Sequence, residues 1–299
     1  MISLDNVSKR FGRITAVDSL SLGVKTGEIF GLVGPDGAGK TTIIRMIIGI
    51  LTPDSGAVSV LGEHVLEKIK GNIGYVPQKF SLYGELTVME NISLLGALYG
   101  ADKADIDKIA EEILTLTKLK PFKDRLADNL SGGMKQKLAL AAGLVHKPKI
   151  LFLDEPTTGV DPVSRREFWQ MLYGLNKEGM TIVVSTPYMD EAELCSRIAF
   201  MHDGRVIACD TPKALCAAYP HKLIELKTSV KRLKPILKDC AIMDISSFGD
   251  SYHLVVSDAN KALREIKAAL GQAGITDATL KPISPSLEDV FVALAGEEV

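Results

Sequence analysis

A chain of 299 residues holds one large domain and a small one. Its net charge of −2 supplies no basic field for nucleic acid, and 24% charged with 46% hydrophobic residues is ordinary for a globular protein. No apolar run approaches the ~20 residues needed to span a bilayer, since the run at 43–51 is interrupted by Arg45, and the opening Met-Ile-Ser-Leu-Asp-Asn is not a secretory signal.

Residues 1 to about 30 read as short strands with a turn near Lys25–Gly27. Glu28–Val33 is an apolar run that predicts a buried strand, and it enters Gly34-Pro35-Asp36-Gly37-Ala38-Gly39-Lys40-Thr41. That stretch fits the phosphate-loop pattern G-x-x-x-x-G-K-[ST]. Its glycines let the backbone turn tightly and point successive N–H groups at a polyphosphate. Lys40 reaches the β- and γ-phosphates, and the Thr41 hydroxyl is a hard-oxygen donor for Mg²⁺. Thr41–Ile48 predicts a helix with its N-terminus aimed at the anion. A Gly-rich turn that binds nothing is the bland alternative; strand, loop and helix in this order argue against it.

Pro53–Gly56 marks a turn before the strand Val58–Val60. At Gly74-Tyr75-Val76-Pro77-Gln78 a strand ends in a glutamine whose amide can face a metal and an attacking water. Phe80, Leu82 and Tyr83 suit a partner's helix or simple packing beneath the following segment, and both roles are compatible. Residues 87–119 carry helical spacing. Ser131, Gly132 and Gly133 then open a helix through Ala142, with serine as N-cap and uncovered backbone N–H groups that make a second anion site. The alternative is a capped helix and nothing more.

Lys149–Pro156 holds four apolar residues followed by Asp154 and Glu155. This predicts a central parallel strand that delivers two carboxylates to the ligand edge of a sheet. Asp154 binds Mg²⁺ directly or through water; Glu155 takes a proton from an attacking water.

These motifs together resemble the ATP-binding subunit of an ABC transporter over roughly residues 1–218. Gly34–Thr41 matches the family's Walker A, Gln78 its Q-loop, Leu130–Gln136 its signature, Ile150–Asp154 its Walker B and Glu155 its catalytic glutamate. Gly159–Asp161 lies at the D-loop, and Phe11 where the family stacks an aromatic on adenine. The resemblance implies an α/β fold: a P-loop ABC ATPase core with an antiparallel β subdomain and a helical subdomain, the helical insert at about 87–145. It implies ATP and Mg²⁺ as ligands, with nucleotide contacts from Phe11, Gly34–Thr42 (Thr42 included) and Ser131–Gly133. Thr41, Gln78 and Asp154 are the implied metal group, and Lys40, Gln78 and Glu155 the catalytic one. It further implies a head-to-tail dimer with a second cassette, identical or not, each ATP lying between one Walker A and the other signature. Transmembrane permease subunits are expected as separate chains, which places this one in the cytoplasm at the inner face of the membrane.

One position departs from the family. After the apolar strand Thr181–Ser185 the family has a histidine that contacts the γ-phosphate, and here Pro187 stands in its place. Proline brings no side-chain donor and no backbone N–H, so slow hydrolysis, or a regulatory cassette paired with a competent one, is the expected consequence. Tyr188, Thr186 or a water could instead supply the contact. His64, His146, His202, His221 and His253 read as turn or surface residues, none placed to substitute. Asp36 is an unusual residue in the phosphate loop, tolerable if it faces out.

From 219 to 299 a small accessory domain is expected. Lys222–Lys227 and Ser251–Val256 read as strands, Lys261–Leu270 as an amphipathic helix, and Ser286–Leu294 as a closing helix with Ser286 as cap and Asp289 in a near capping box. No cluster with evident chemistry follows residue 200. The four cysteines show no C-x-x-C spacing and suit reduced thiols. The tail resembles the C-terminal extension of ATP-binding subunits serving drug, antibiotic or polysaccharide exporters, with a role in dimer contact or regulation. A soluble ABC ATPase acting on ribosomes or DNA is a further alternative. Such proteins carry two cassettes, coiled-coil or basic insertions, and this chain has neither.

Overall fold

The computed structural model describes residues 1–64 and 66–296, and for Leu66 the backbone alone. The chain forms two compact units, Met1–Pro212 and Lys213–Val299. In the first unit, β1 (Ile2–Phe11) and β2 (Ile14–Val24) form an antiparallel hairpin. Both are longer than the short strands expected. They stay long because register shifts absorb a change of face: Ile2 and Leu4 are buried, then Val7, with Asn6 between them at φ 48°.

β3 (Ile29–Val33), buried at every residue, leads to α1 (Lys40–Ile47). β4 (Ser55–Val60) pairs with β1 and completes the antiparallel sheet β2-β1-β4. β5 (Ile73–Val76) precedes three helices, α2 (Val88–Leu98), α3 (Lys103–Leu116) and α4 (Gly132–Leu144). Each starts at a side-chain cap: Thr87 with Glu90 in a capping box, Asp102, and Ser131, whose Oγ accepts from the Met134 amide.

β6 (Ile150–Asp154), α5 (Pro162–Lys177, capped by Asp161), β7 (Thr181–Thr186), α6 (Met189–Ala192), β8 (Arg197–His202) and β9 (Arg205–Asp210) follow. The six-stranded sheet has the order β5-β6-β7-β3-β8-β9 and is parallel except for β9. Its central strands β6, β7 and β3 are buried throughout, which is why they read as continuous apolar runs. That order sets the C-terminal ends of β3, β6 and β7 side by side.

The second unit begins within α7 (Pro212–Ala218). It contains β10 (Lys222–Lys227), β11 (Asp244–Phe248), β12 (Ser251–Val256), α8 (Ala259–Gln272), β13 (Thr279–Ile283) and α9 (Leu287–Gly296). The sheet is antiparallel, ordered β11-β12-β10-β13, and its own core joins Ile224, Leu226 and Leu254 to Ala262, Ile266 and Leu270 of α8.

Candidate active site

A cleft of about 370 Å³ opens where β3, β6 and β5 end. It is lined by Phe11, Ala16, Asp36, Gly37, Gly39, Lys40, Thr41, Thr42, Gln78 and Glu155. Clefts of about 510 and 470 Å³ lie elsewhere; chemistry, not size, selects this one.

The loop between β3 and α1 needs glycine at two points. A Cβ on Gly34 would meet the Met201 carbonyl oxygen at 2.2 Å, and Gly39 combines φ +96° with the Ala16 carbonyl oxygen 2.4 Å from such a Cβ. Gly34 is buried and its amide donates to the Thr186 carbonyl, so the loop is tied to the end of β7. Asp36 is exposed and also lines the cleft. Pro35 is exposed and Ala38 buried, and neither lines the cleft. Phe11 is half exposed with the Lys9 ammonium 5.9 Å from its ring centroid, leaving an aromatic face at the mouth.

Inside, charge converges. Lys40 is buried, and its Nζ donates to the carbonyls of Gly34 (2.7 Å) and Pro35 (2.9 Å) and lies 3.2 Å from Glu155 Oε1. Three acceptors thus match the three protons of the ammonium. Glu155 is also buried; its Oε2 accepts from Gln78 Nε2 (2.9 Å) and the Thr158 hydroxyl (3.4 Å). Asp154 Oδ1 accepts from Thr41 Oγ1 (3.0 Å) and Ser185 Oγ (2.7 Å). Its Oδ2 is buried without a hydrogen-bond partner among the described residues. A buried carboxylate oxygen left bare is costly. Beside a threonine hydroxyl it suits a small hard cation that takes oxygen ligands, so the donor set fits Mg²⁺. Gln78 turns its amide nitrogen to Glu155, which leaves its carbonyl oxygen as the group available to a metal.

Ser131, Gly132 and Gly133 do not line the cleft; they lie at the N-terminus of α4. Pro187 is half-buried and also outside the cleft lining. The Thr186 hydroxyl donates to Glu191 Oε2 (2.7 Å) and accepts from the Tyr188 amide (3.1 Å), so it is not free to replace the histidine. Ser185, one residue earlier, is turned to Asp154.

The histidines need two corrections: His202 is the half-buried last residue of β8, and His253 is also a strand residue. His64 sits at an exposed bend, but His253 lies within β12, where Nδ1 meets Asp289 Oδ1 at 2.7 Å and the ring stacks on Phe248. With Ser286 bonded to Asp289 Oδ2, a linked polar group therefore exists after residue 200, where the sequence showed none. Its partners lie 36 residues apart, so no local spacing announces it. His146 does lie in a turn, stacked on Tyr99. Sequence reasoning also missed Ser185, Arg165 and Glu191; a pair of hydroxyls ending a buried strand was the available signal for the first.

A family model described as ABC transporter matches residues 17–158. The chain is 36% identical to the Nod factor export ATP-binding protein I of Rhizobium sp. (strain N33), over 100% of this chain and 98% of that protein. The chain belongs to the ABC transporter family. It is also 41% identical to the probable multidrug ABC transporter ATP-binding protein YbhF of Escherichia coli (strain K12) over 99% of this chain, and spans only 52% of that protein's length. Among solved structures, the dimeric ATP-binding cassette MJ0796 in a post-hydrolysis state with ADP and Pi aligns with a TM-score of 0.66 and 31% identity, covering 71% of this chain and 98% of that one. The mixed α/β fold of the chain is that of the ATP-binding cassettes of this family. No helix among the described residues is long and apolar enough to cross a membrane.

Proposed function

We propose that this chain is the ATP-hydrolysing subunit of an exporter, with residues 1–218 as the ATP-binding domain and 219–299 as an accessory domain. The observation that carries the reading is the convergence of Lys40, Thr41 and Gln78 on the paired carboxylates Asp154 and Glu155. Relatives named for Nod factor export and as probable multidrug transporters support the export direction.

ATP stacks its base on Phe11 and lays its phosphates along Gly34–Thr42. Lys40 exchanges Glu155 and the loop carbonyls for phosphate oxygens, which leaves Glu155 free to orient a water and accept its proton, with Gln78 holding the other carboxylate oxygen. Thr41, Asp154 and Gln78 would hold Mg²⁺, whose chemistry when bound is to neutralise charge on the phosphates. The capped N-terminus of α4, with Ser131, Gly132 and Gly133, supplies backbone donors to nucleotide held by a second cassette, identical or not. Separate permease chains place the pair at the inner face of the membrane.

A second reading, a hydrolysis-poor cassette paired with a competent one, rests on Pro187 and on the engaged Thr186 hydroxyl. Titration of the purified chain with ATP, with Mg²⁺ and with chelator, together with phosphate release, tests the proposal. Mg²⁺-dependent binding with measurable turnover is expected. Absence of binding overturns the proposal, and binding with no turnover selects the second reading.

A further inference from the structure

The carboxylate of Glu191 is 1% exposed and lies outside the nucleotide cleft, yet it joins the two segments that flank the reacting groups. Oε1 accepts from the Thr157 hydroxyl, and Oε2 from the Thr186 hydroxyl at 2.7 Å. Thr157 is two residues beyond Glu155, and Thr186 is the residue before Pro187. Arg165 of α5 approaches Oε1 at 3.4 Å and lies over the ring of Tyr188. A carboxylate so buried is expensive unless fully paired, and here the partners come from the loop after β6 (Thr157), the end of β7 (Thr186) and α5 (Arg165).

Glu155 itself sits at φ 48°, a left-handed conformation that a non-glycine residue keeps only when its surroundings over-determine it. Two cross-links to β7 do so. Before the side chain acts, the Glu155 amide donates to the Ser185 carbonyl and hydroxyl. Two residues on, Thr157 is tied through Glu191 to Thr186. Because a carboxylate only accepts, it sets both threonine hydroxyl protons toward itself and leaves the Thr186 oxygen to accept from the Tyr188 amide. An amide in its place would have to donate to one of them and turn that hydroxyl round.

We propose that Glu191 is a positioning residue for ATP hydrolysis: through Thr157 and Thr186 it holds Glu155 in its left-handed backbone conformation and fixes the switch segment at Pro187. The inference rests on the ATPase reading above. The test compares the full chain with Glu191→Gln, and with Thr157→Val, which removes only a hydroxyl and keeps the fold's volume. Phosphate release gives kcat and KM, calorimetry gives ATP affinity, and thermal melting gives integrity. Glu191→Gln is expected to lower kcat by about tenfold or more with KM and ATP affinity within about threefold. Thr157→Val is expected to fall in the same direction, and the double variant to lose less than the product of the two losses, since both break one link. Unchanged kcat in both variants overturns the inference, as do losses in which kcat, affinity and melting temperature fall together. If the unaltered chain binds no ATP and releases no phosphate, the ATPase reading fails and takes this inference with it.

Discussion

On the proposed function, Lys40 and Pro187 bear on the chemistry in two different ways. Lys40 is buried against Glu155 and two carbonyls, so it is pre-placed in the cleft and needs only to exchange partners when phosphate arrives. A charge-assisted contact of this kind is worth ~1.5–3 kcal/mol. Lys40→Ala is therefore expected to weaken ATP binding by at least tenfold, measured by calorimetry; unchanged affinity refutes the assignment. Pro187 enters that reading by what it lacks, a side-chain donor. A preorganised donor at developing negative charge commonly contributes ~10²–10³ in rate, and the neighbouring Thr186 hydroxyl is already committed to Glu191. Pro187→His is expected to raise phosphate release by about tenfold or more in the isolated chain. Brisk wild-type turnover that the substitution does not increase would show the proline to be no handicap.

At the scale of an element, α9 is held by its first turn. Ser286 Oγ accepts from the Asp289 amide while Asp289 Oδ2 accepts from the Ser286 amide and hydroxyl, a capping box built with aspartate. Asp289 Oδ1 also anchors the helix to His253 on β12. Loss of such a cap costs ~1 kcal/mol. Ser286→Ala is expected to speed amide exchange in the first turns of α9 by about fivefold with α8 unaffected. Equal exchange in both proteins would mean that packing alone holds the helix. α4 is the contrasting case: Ser131 caps it through the Met134 amide alone, Gly132 is exposed, and Gly133 is buried where a Cβ would meet Ser164 Oγ at 2.6 Å.

For the whole molecule, the cleft at the β3–α1 loop does not include Ser131, Gly132 or Gly133 at the start of α4, which the proposed function makes the other half of a nucleotide site. On that reading a second cassette brings them together. Glu155→Gln removes a general base, a role worth ~10²–10⁴ in rate, while keeping the shape. ATP is expected to trap that variant as a dimer in light scattering, and adding Ser131→Arg is expected to abolish the trap. Only monomer with ATP in the first variant would overturn the sandwich.

The amino-acid sequence by itself determined the parts whose chemistry is local. Gly34–Thr41 reads as a phosphate loop because its glycines, lysine and threonine are consecutive, and the cap at Ser131 because cap and helix adjoin. β3, β6 and β7 were legible because burial on both faces makes them apolar from end to end. In the second unit β10 and β12 were legible as the inner strands of their sheet. The edge strands β11 and β13 were not, because one open side tolerates Ser246, Ser247 and even Pro282. Only the tertiary structure decided what strand order brings together. Thr41 meets Asp154 across 113 residues, Gln78 meets Glu155 across 77, and Thr157 meets Glu191 across 34. His253 left the surface for the same reason, since its partner comes from a helix 36 residues away. Periodicity reports which face of an element is buried, whereas partner identity follows from the order β5-β6-β7-β3, which non-local packing sets.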